Sequence, residues 1–230
     1  MEFFSDPKVI LQLQILRSQF LPALWQTLYS LSLQTVFAYL IGLPLGVLLV
    51  VGGKDGIRPL PGWLMKILNI LVNLLRSIPF LILMIIALPL SKLIVGTKIG
   101  TQATIPPMVI AAFPLVARMV ESAIREVDRG VVEAAQSMGA STWQIITKVL
   151  LPEARPSLIS GAAITTTTIL GYGAMAGIIG GGGLGKLAID YGYYNFKTIV
   201  MWVAVIGLIL LVQLIQSAGT KLSAASDKRL

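Results

Sequence analysis

LWQTLYSLSLQTVFAYLIGLPLGVLLVV, residues 24–51, runs for 28 positions without a charged side chain. An α-helix rises ~1.5 Å per residue, so about 20 predominantly apolar residues cross the hydrocarbon core of a bilayer. The stretch is long enough to span, and it sets the class of the whole chain. Gly42, Pro44 and Gly46 are expected to bend its later half. Working outward, four more stretches read the same way: residues 67–90, 99–117, 156–179 and 198–220. Pro106, Pro107 and Pro114 interrupt the third of the five spans. In residues 9–21 the apolar positions are broken by Gln12, Gln14, Arg17 and Gln19, the pattern of an interfacial helix. The expected fold is all-α and integral to the membrane, with five transmembrane helices per subunit. Residues 1–23 are expected to form an external or interfacial segment, 24–220 the membrane domain and 221–230 a cytoplasmic tail.

Only 12% of the 230 residues are charged and 56% are hydrophobic, with a mean hydropathy of +0.85. A soluble chain carries roughly 25% charged residues, so much of this surface faces lipid. On a soluble protein the net charge of +8 would suit nucleic acid. Here the basic residues sit between apolar runs, which the cytoplasmic bias of positive charge explains. The chain has no Cys and no His. That excludes disulfides, thiolate nucleophiles, imidazole bases and the usual zinc ligands, and no catalytic, metal or cofactor site is expected. Residues 1–18 mix Glu2, Asp6, Lys8 and Arg17 with apolar side chains and lack the pattern of a cleavable signal.

An outside N-terminus places residues 54–66, 118–155 and 221–230 in the cytosol with 11 Lys and Arg, against 6 on the other side. Arg76 lies within a span and is counted in neither. The bias favours N-out, C-in. No internal repeat is visible, which points to a homodimer rather than a monomer of fused inverted halves.

The longest hydrophilic stretch contains Glu133-Ala134-Ala135-Gln136-Ser137-Met138-Gly139, then nine residues, then Val149-Leu150-Leu151-Pro152. Residues 128–152 read as two short helices and a turn. Asp128 can cap the first helix, and Gly139 can take the positive-φ position that ends it. Ser141-Thr142-Trp143-Gln144 fits the capping box of the second, which Pro152 is expected to stop. Ala134 and Ala135 leave little bulk on a cytosol-facing helix and suit insertion into a partner's groove. An ordinary amphipathic surface hairpin fits the spacing equally well.

This pattern resembles the EAA loop of the permease subunits of type I ABC importers; Val149 stands where that family often has Ile. The similarity narrows to methionine-importer permeases on Asn73-Leu74-Leu75-Arg76-Ser77-Ile78-Pro79-Phe80, Val95-Gly96-Thr97, Ala117-Arg118-Met119-Val120-Glu121, Gly182-Gly183-Leu184-Gly185 and Tyr191-Gly192-Tyr193. It covers roughly residues 24–217. The resemblance implies a coupling helix at residues 133–139 docked on a cytosolic ATPase, with Glu133, Ala134, Ala135, Gly139 and Pro152 as its marker residues. It further implies a homodimer beside two ATPase copies in a bacterial plasma membrane, and an extracytoplasmic substrate-binding protein that delivers methionine. ATP hydrolysis would belong to the partner. An importer for another small solute is the alternative within the class.

Two polar features fall inside spans. Asn69, Asn73, Arg76 and Ser77 share one face of the second span. A cation there costs ~2.5–3.5 kcal/mol unless it finds water or a partner. The stripe therefore faces a cavity or subunit interface, or else Arg76 snorkels to headgroups. In the fourth span Ser157, Gly161, Thr165, Thr168, Tyr172 and Met175 share a face, which either lines a path at a dimer axis or serves helix packing alone. Gly180, four residues, Gly185 and Lys186 nearly match a phosphate-binding loop, but Leu187 replaces the required Ser or Thr and no strand precedes it. A flexible external loop is expected instead. An intramembrane hydrolase would need a nucleophile and base within reach, and no Asp or Glu lies in a span. A passive channel would leave the EAA loop without a purpose.

The orientation is open to a direct test, because the chain has no native cysteine. Cysteines at Asp55, Ser141 and Ser226 should react only with reagent that has entered the cytosol, and those at Lys98 and Lys186 from outside. Labelling of Ser141→Cys from outside in sealed cells would reverse the topology.

Overall fold

The computed structural model describes residues 7–227, and the described residues form helices and turns with no strand. The long helices are α1 (Pro7–Val51), α2 (Gly62–Ser77), α3 (Phe80–Val95), α4 (Ile105–Arg125), α8 (Arg155–Ala176) and α10 (Thr198–Ser226). Between α4 and α8 lie α5 (Arg129–Ser137), α6 (Thr142–Ile145), a π-helical segment at Ile146–Leu150 and α7 (Leu151–Glu153). The short α9 (Gly183–Leu187) and a second π segment (Ala188–Tyr194) precede α10. Four helical stretches are individually long and apolar enough to cross a membrane, and a fifth counts if the bent pair α2–α3 is one span.

Each expected span has a counterpart, with corrected limits. The first does not begin at residue 24. One uninterrupted helix of 45 residues takes in residues 9–21 as well, so no boundary separates an interfacial helix from a span. The second is not a straight helix over residues 67–90. It breaks at Ile78, which is extended at φ −76°, ψ 128°. Pro79 forces that conformation on its predecessor and supplies no N–H to continue the ladder. The third continues past Ala117 to Arg125, and its proline pair causes no interruption. Pro106 and Pro107 lie in the first turn of α4, where N–H groups lack helical partners in any case. The fifth extends to Ser226, so most of the expected tail is helical.

The chain divides into two compact units. One takes the residues up to Thr35 together with Pro79–Ile110 and Thr166–Ile215; the other takes Val36–Ile78, Ala111–Thr165 and the residues from Gln216 on. In the first unit a core of Ala23, Leu184, Leu187, Val200 and Ala204 is covered by Phe20, Leu24, Tyr191 and Leu208. Side chains of α1 complete the backbone bonding of that unit. Gln26 Oε1 accepts from the Gly183 N–H at 3.0 Å, Thr27 Oγ1 from the Leu184 N–H at 2.9 Å, and Gln12 Oε1 from the Ile199 N–H at 3.0 Å. These amide and hydroxyl oxygens cap the starts of α9 and α10.

In the second unit α1 packs on α4 through glycine. A Cβ on Gly42 would stand 2.6 Å from Val116 Cβ, and one on Gly46 would stand 2.6 Å from the Ala117 carbonyl oxygen and 2.7 Å from Val120 Cβ. The i, i+4 glycine pair is thus a surface for close helix approach. Elsewhere in the unit the Tyr39 and Thr165 hydroxyls lie 2.8 Å apart, and Ser223 Oγ donates to the Pro156 carbonyl at 2.8 Å.

Gly46→Leu should destabilise the detergent-solubilised protein by about 1–3 kcal/mol, the usual cost of overpacking. Gly62 has open space where its Cβ would stand, so Gly62→Ala should stay within about 0.5 kcal/mol of the parent. Thermal unfolding of the two variants side by side checks the contact, and equal midpoints would remove it.

Candidate functional site

The hydrophilic hairpin between α4 and α8 is built by local capping. The Asp128 carboxylate accepts from the Gly130 N–H at 2.6 Å and starts α5. At the other end Gly139 sits at φ 77°, a conformation a side chain enters at a cost. Its N–H reaches the Gln136 carbonyl at 2.9 Å, and the Ala140 N–H reaches the Ala135 carbonyl at 3.1 Å. Those two bonds make a complete Schellman stop. The capping box follows: Ser141 Oγ accepts from the Gln144 N–H at 3.3 Å, and Gln144 Oε1 accepts from the Ser141 N–H at 2.8 Å.

Two expectations about this hairpin change. Pro152 does not stop the second helix; it sits within α7, just after the π segment. In that wider turn the Leu151 N–H reaches back to the Ile146 carbonyl, giving room where a proline ring would otherwise crowd the carbonyl four residues earlier. Ala135 does not face a partner. It is 5% exposed and therefore packs against its own chain, while Glu133, Ala134 and Gly139 are exposed. The apolar residues the hairpin does present are Val131, Met138 at 81% exposure and Trp143 at 71%. Sequence reasoning missed them. Only Trp143 carried a signal of phase, being apolar two positions before the buried Ile145; Val131 and Met138 share the helical phase of Ala135 and are exposed near the ends of α5, which spacing alone does not reveal. Beside the hairpin lies a cleft of about 690 Å³, lined by Lys54, Asp55, Glu121, Arg125, Arg129 and Glu133 among others.

The polar stripe on α2 has a different partner from the one expected. Arg76 and Ser77 are exposed, and Arg76 makes no hydrogen bond or ion pair among the described residues. Asn69 and Asn73 turn to Arg118 of α4, whose Nη2 donates to their Oδ1 atoms at 2.9 Å and 2.8 Å. Arg118 Nη1 pairs with Glu121, which also accepts from Arg125 Nη2 at 2.9 Å. The side chains of Arg118 and Glu121 are only 21% and 12% exposed. The network neutralises a half-buried cation and ties α2 to α4.

The face read along the fourth span is not uniform. Gly161 and Thr165 are buried, and Thr165 bonds to Tyr39, so neither lines an open path in this subunit. Tyr172 stacks on Phe80 with ring centroids 4.2 Å apart. Thr168 is half-buried and Met175 exposed. The segment after α8 is no phosphate loop. A Cβ on Gly177 would stand 2.7 Å from the Lys186 backbone nitrogen, and one on Gly181 as close to the Ala176 carbonyl oxygen. The Gly180 carbonyl accepts from the Gly100 N–H at 2.8 Å. Glycine is there for packing.

Residues 42–224 match the model of the family described as binding-protein-dependent transport system inner membrane component. The chain is 50% identical over 210 residues to a probable D-methionine transport system permease protein of Vibrio cholerae, covering 91% of this chain and 92% of that one. To a methionine import system permease protein of Bacillus subtilis it is 48% identical over 164 residues, 71% and 74% of the two chains. A solved structure of inward-facing conformations of the MetNI methionine ABC transporter contains a chain that superposes with a TM-score of 0.88. The identity is 43%, over 90% of this chain and 96% of that one.

Arg118→Leu should lower the melting midpoint by several degrees. It strips two asparagines and a carboxylate of a charged donor whose bonds are worth ~1.5–3 kcal/mol each. Arg76→Leu should leave the midpoint unchanged. Differential scanning of both in one detergent decides between the two arginines, and equal losses would refute the assignment.

Proposed function

The chain belongs to the family of inner membrane components of binding-protein-dependent transport systems, and on that premise we propose that it is the permease subunit of an ATP-driven methionine importer. The observation that carries the reading is the doubly capped hairpin, which holds Met138 and Trp143 in the open outside the membrane-spanning helices. Large apolar side chains on a rigid polar hairpin suit a protein partner. That partner is a cytosolic ATPase, two copies beside a homodimer of this chain. Glu133, at the middle of α5, adds a carboxylate for a basic group on the ATPase, and Gly139 fixes the angle at which Met138 is offered.

The permease performs no covalent chemistry in this reading. ATP binding and hydrolysis in the partner move the hairpin, and rigid-body motion of packed helices alternates access to a central path. Thr168, Tyr172 and Met175 of α8, with Asn73, Arg76 and Ser77 of α2, are the candidates for the path or dimer interface. Thr165 drops out because it is buried in its own subunit. Substrate selection lies largely in a binding protein on the far side of the membrane, and the N-out, C-in orientation puts the hairpin with the ATPase. The names of the relatives support methionine over other small solutes.

Met138→Asp combined with Trp143→Asp places charge on the proposed contact without touching a buried residue. Recovery of the double variant from the membrane should match the parent. Its affinity for the ATPase should fall about 30-fold, the effect of losing ~2 kcal/mol at an aromatic anchor, and labelled methionine uptake in a complemented knockout should fall with it. Full association together with full uptake would remove the hairpin from the coupling role. Loss of uptake competition by unlabelled methionine, with competition by another amino acid, would instead reassign the substrate.

A further inference from the structure

α10 carries no charged residue between Lys197 and Lys221. That interval rises about 35 Å, close to the ~30 Å of bilayer hydrocarbon. The two lysines therefore mark the two membrane boundaries. Trp202, Ile206, Ile209, Leu210 and Leu214 of α10 are exposed, so its apolar surface extends to within about a turn of Lys197.

The residues just before that lysine are aromatic and open. Tyr193, Tyr194 and Phe196 are exposed, Phe196 to 85%, and the two tyrosine rings meet edge to face at 5.4 Å. Phe196 is the one non-glycine described residue with positive φ, at 54°. A bulky side chain there is strained and persists only where its surroundings hold it. They do so on every side. Asn195 Nδ2 donates to the Asp190 carbonyl at 2.6 Å. The Lys197 N–H bonds to the Tyr191 carbonyl at 2.9 Å, and Gln12 holds the Ile199 N–H. Gly192 lies so close to Met201 that a Cβ would stand 2.5 Å from the Met201 Cβ. The turn is pinned from four directions, yet its phenyl ring touches almost nothing in its own subunit.

We propose that Tyr193, Tyr194 and Phe196 form an interfacial anchor seated at the boundary between lipid headgroups and acyl chains, and that this anchor fixes the depth of α10. The occupant is lipid because the turn continues the exposed apolar face of α10 at the level where its charge-free run ends. Tyrosine suits that level with an apolar ring and a polar hydroxyl. Phe196 supplies the deepest apolar contact, and Lys197 can extend its ammonium to the phosphates. The inference depends on α10 being a span and stands whether or not the chain imports methionine.

The absence of native cysteine allows a single nitroxide to be placed at Phe196→Cys, with Tyr194→Cys as a second site. The labelled permease, assembled with its ATPase in phosphatidylethanolamine–phosphatidylglycerol nanodiscs, is read by power saturation with oxygen and with a nickel chelate. Leu210→Cys gives the deep reference and Lys98→Cys, on a loop away from the ATPase, the aqueous one. Labels at 194 and 196 should lie ~5–10 Å below the phosphate level, with chelate access several-fold lower than at 98 and oxygen access below that at 210. Chelate access equal to that at 98 would overturn the anchor. So would shielding from both relaxants, which would mean burial between subunits, or chelate protection that arises only on adding the binding protein.

Discussion

A backbone N–H or C=O inside hydrocarbon has no water to turn to, so each must be satisfied within the protein. That constraint organises this chain. A straight helix meets it without help; a broken one does not, and α2–α3 and the α8–α10 connection are both broken. Around the later breaks three polar side chains of α1 take up backbone N–H groups. Gln12, Gln26 and Thr27 each give an oxygen to the first amides of a later helix, and Ser91 gives its hydroxyl to the Ala103 carbonyl at 2.7 Å. The polar residues that made residues 9–21 look interfacial include a cap whose partner lies 187 positions away.

The same economy governs charge. Arg118 is half-buried on α4, and the protein surrounds it with one carboxylate and two amide oxygens rather than leaving it to water. The asparagines of α2 were readable as a polar stripe from their spacing, but spacing gives a direction and no distance. It could not say that the stripe faces Arg118, a residue 45 and 49 positions further on, or that Arg76 stands apart from it.

What could be read in advance was local. The Asp128 cap, the Gly139 stop and the Ser141–Gln144 box each depend on residues within a few positions, and all three are present as read. The spans were readable because hydropathy is a property of a window. The errors have the converse cause. Averaging over residues 67–90 hid the Ile78–Pro79 break, although a residue before proline is a local signal. Ala135 was small, and smallness was read as room for a partner; only the packed hairpin shows that its methyl faces inward. The sequence also names no neighbour for Gly42 and Gly46, and the structure supplies Val116 and Val120.

The caps donated by α1 also order events in time. A helix that enters the membrane early carries Gln12, Gln26 and Thr27, whose acceptor oxygens wait for amides 157 and 187 residues downstream. Until synthesis reaches that point, those side chains must borrow other donors. A chain cut short before Thr198 would retain all of α1 and lack one of its partners for good. Completion of the subunit is thus recorded in its first helix, where Gln12 gains its bond to the Ile199 N–H only once the last helix is present.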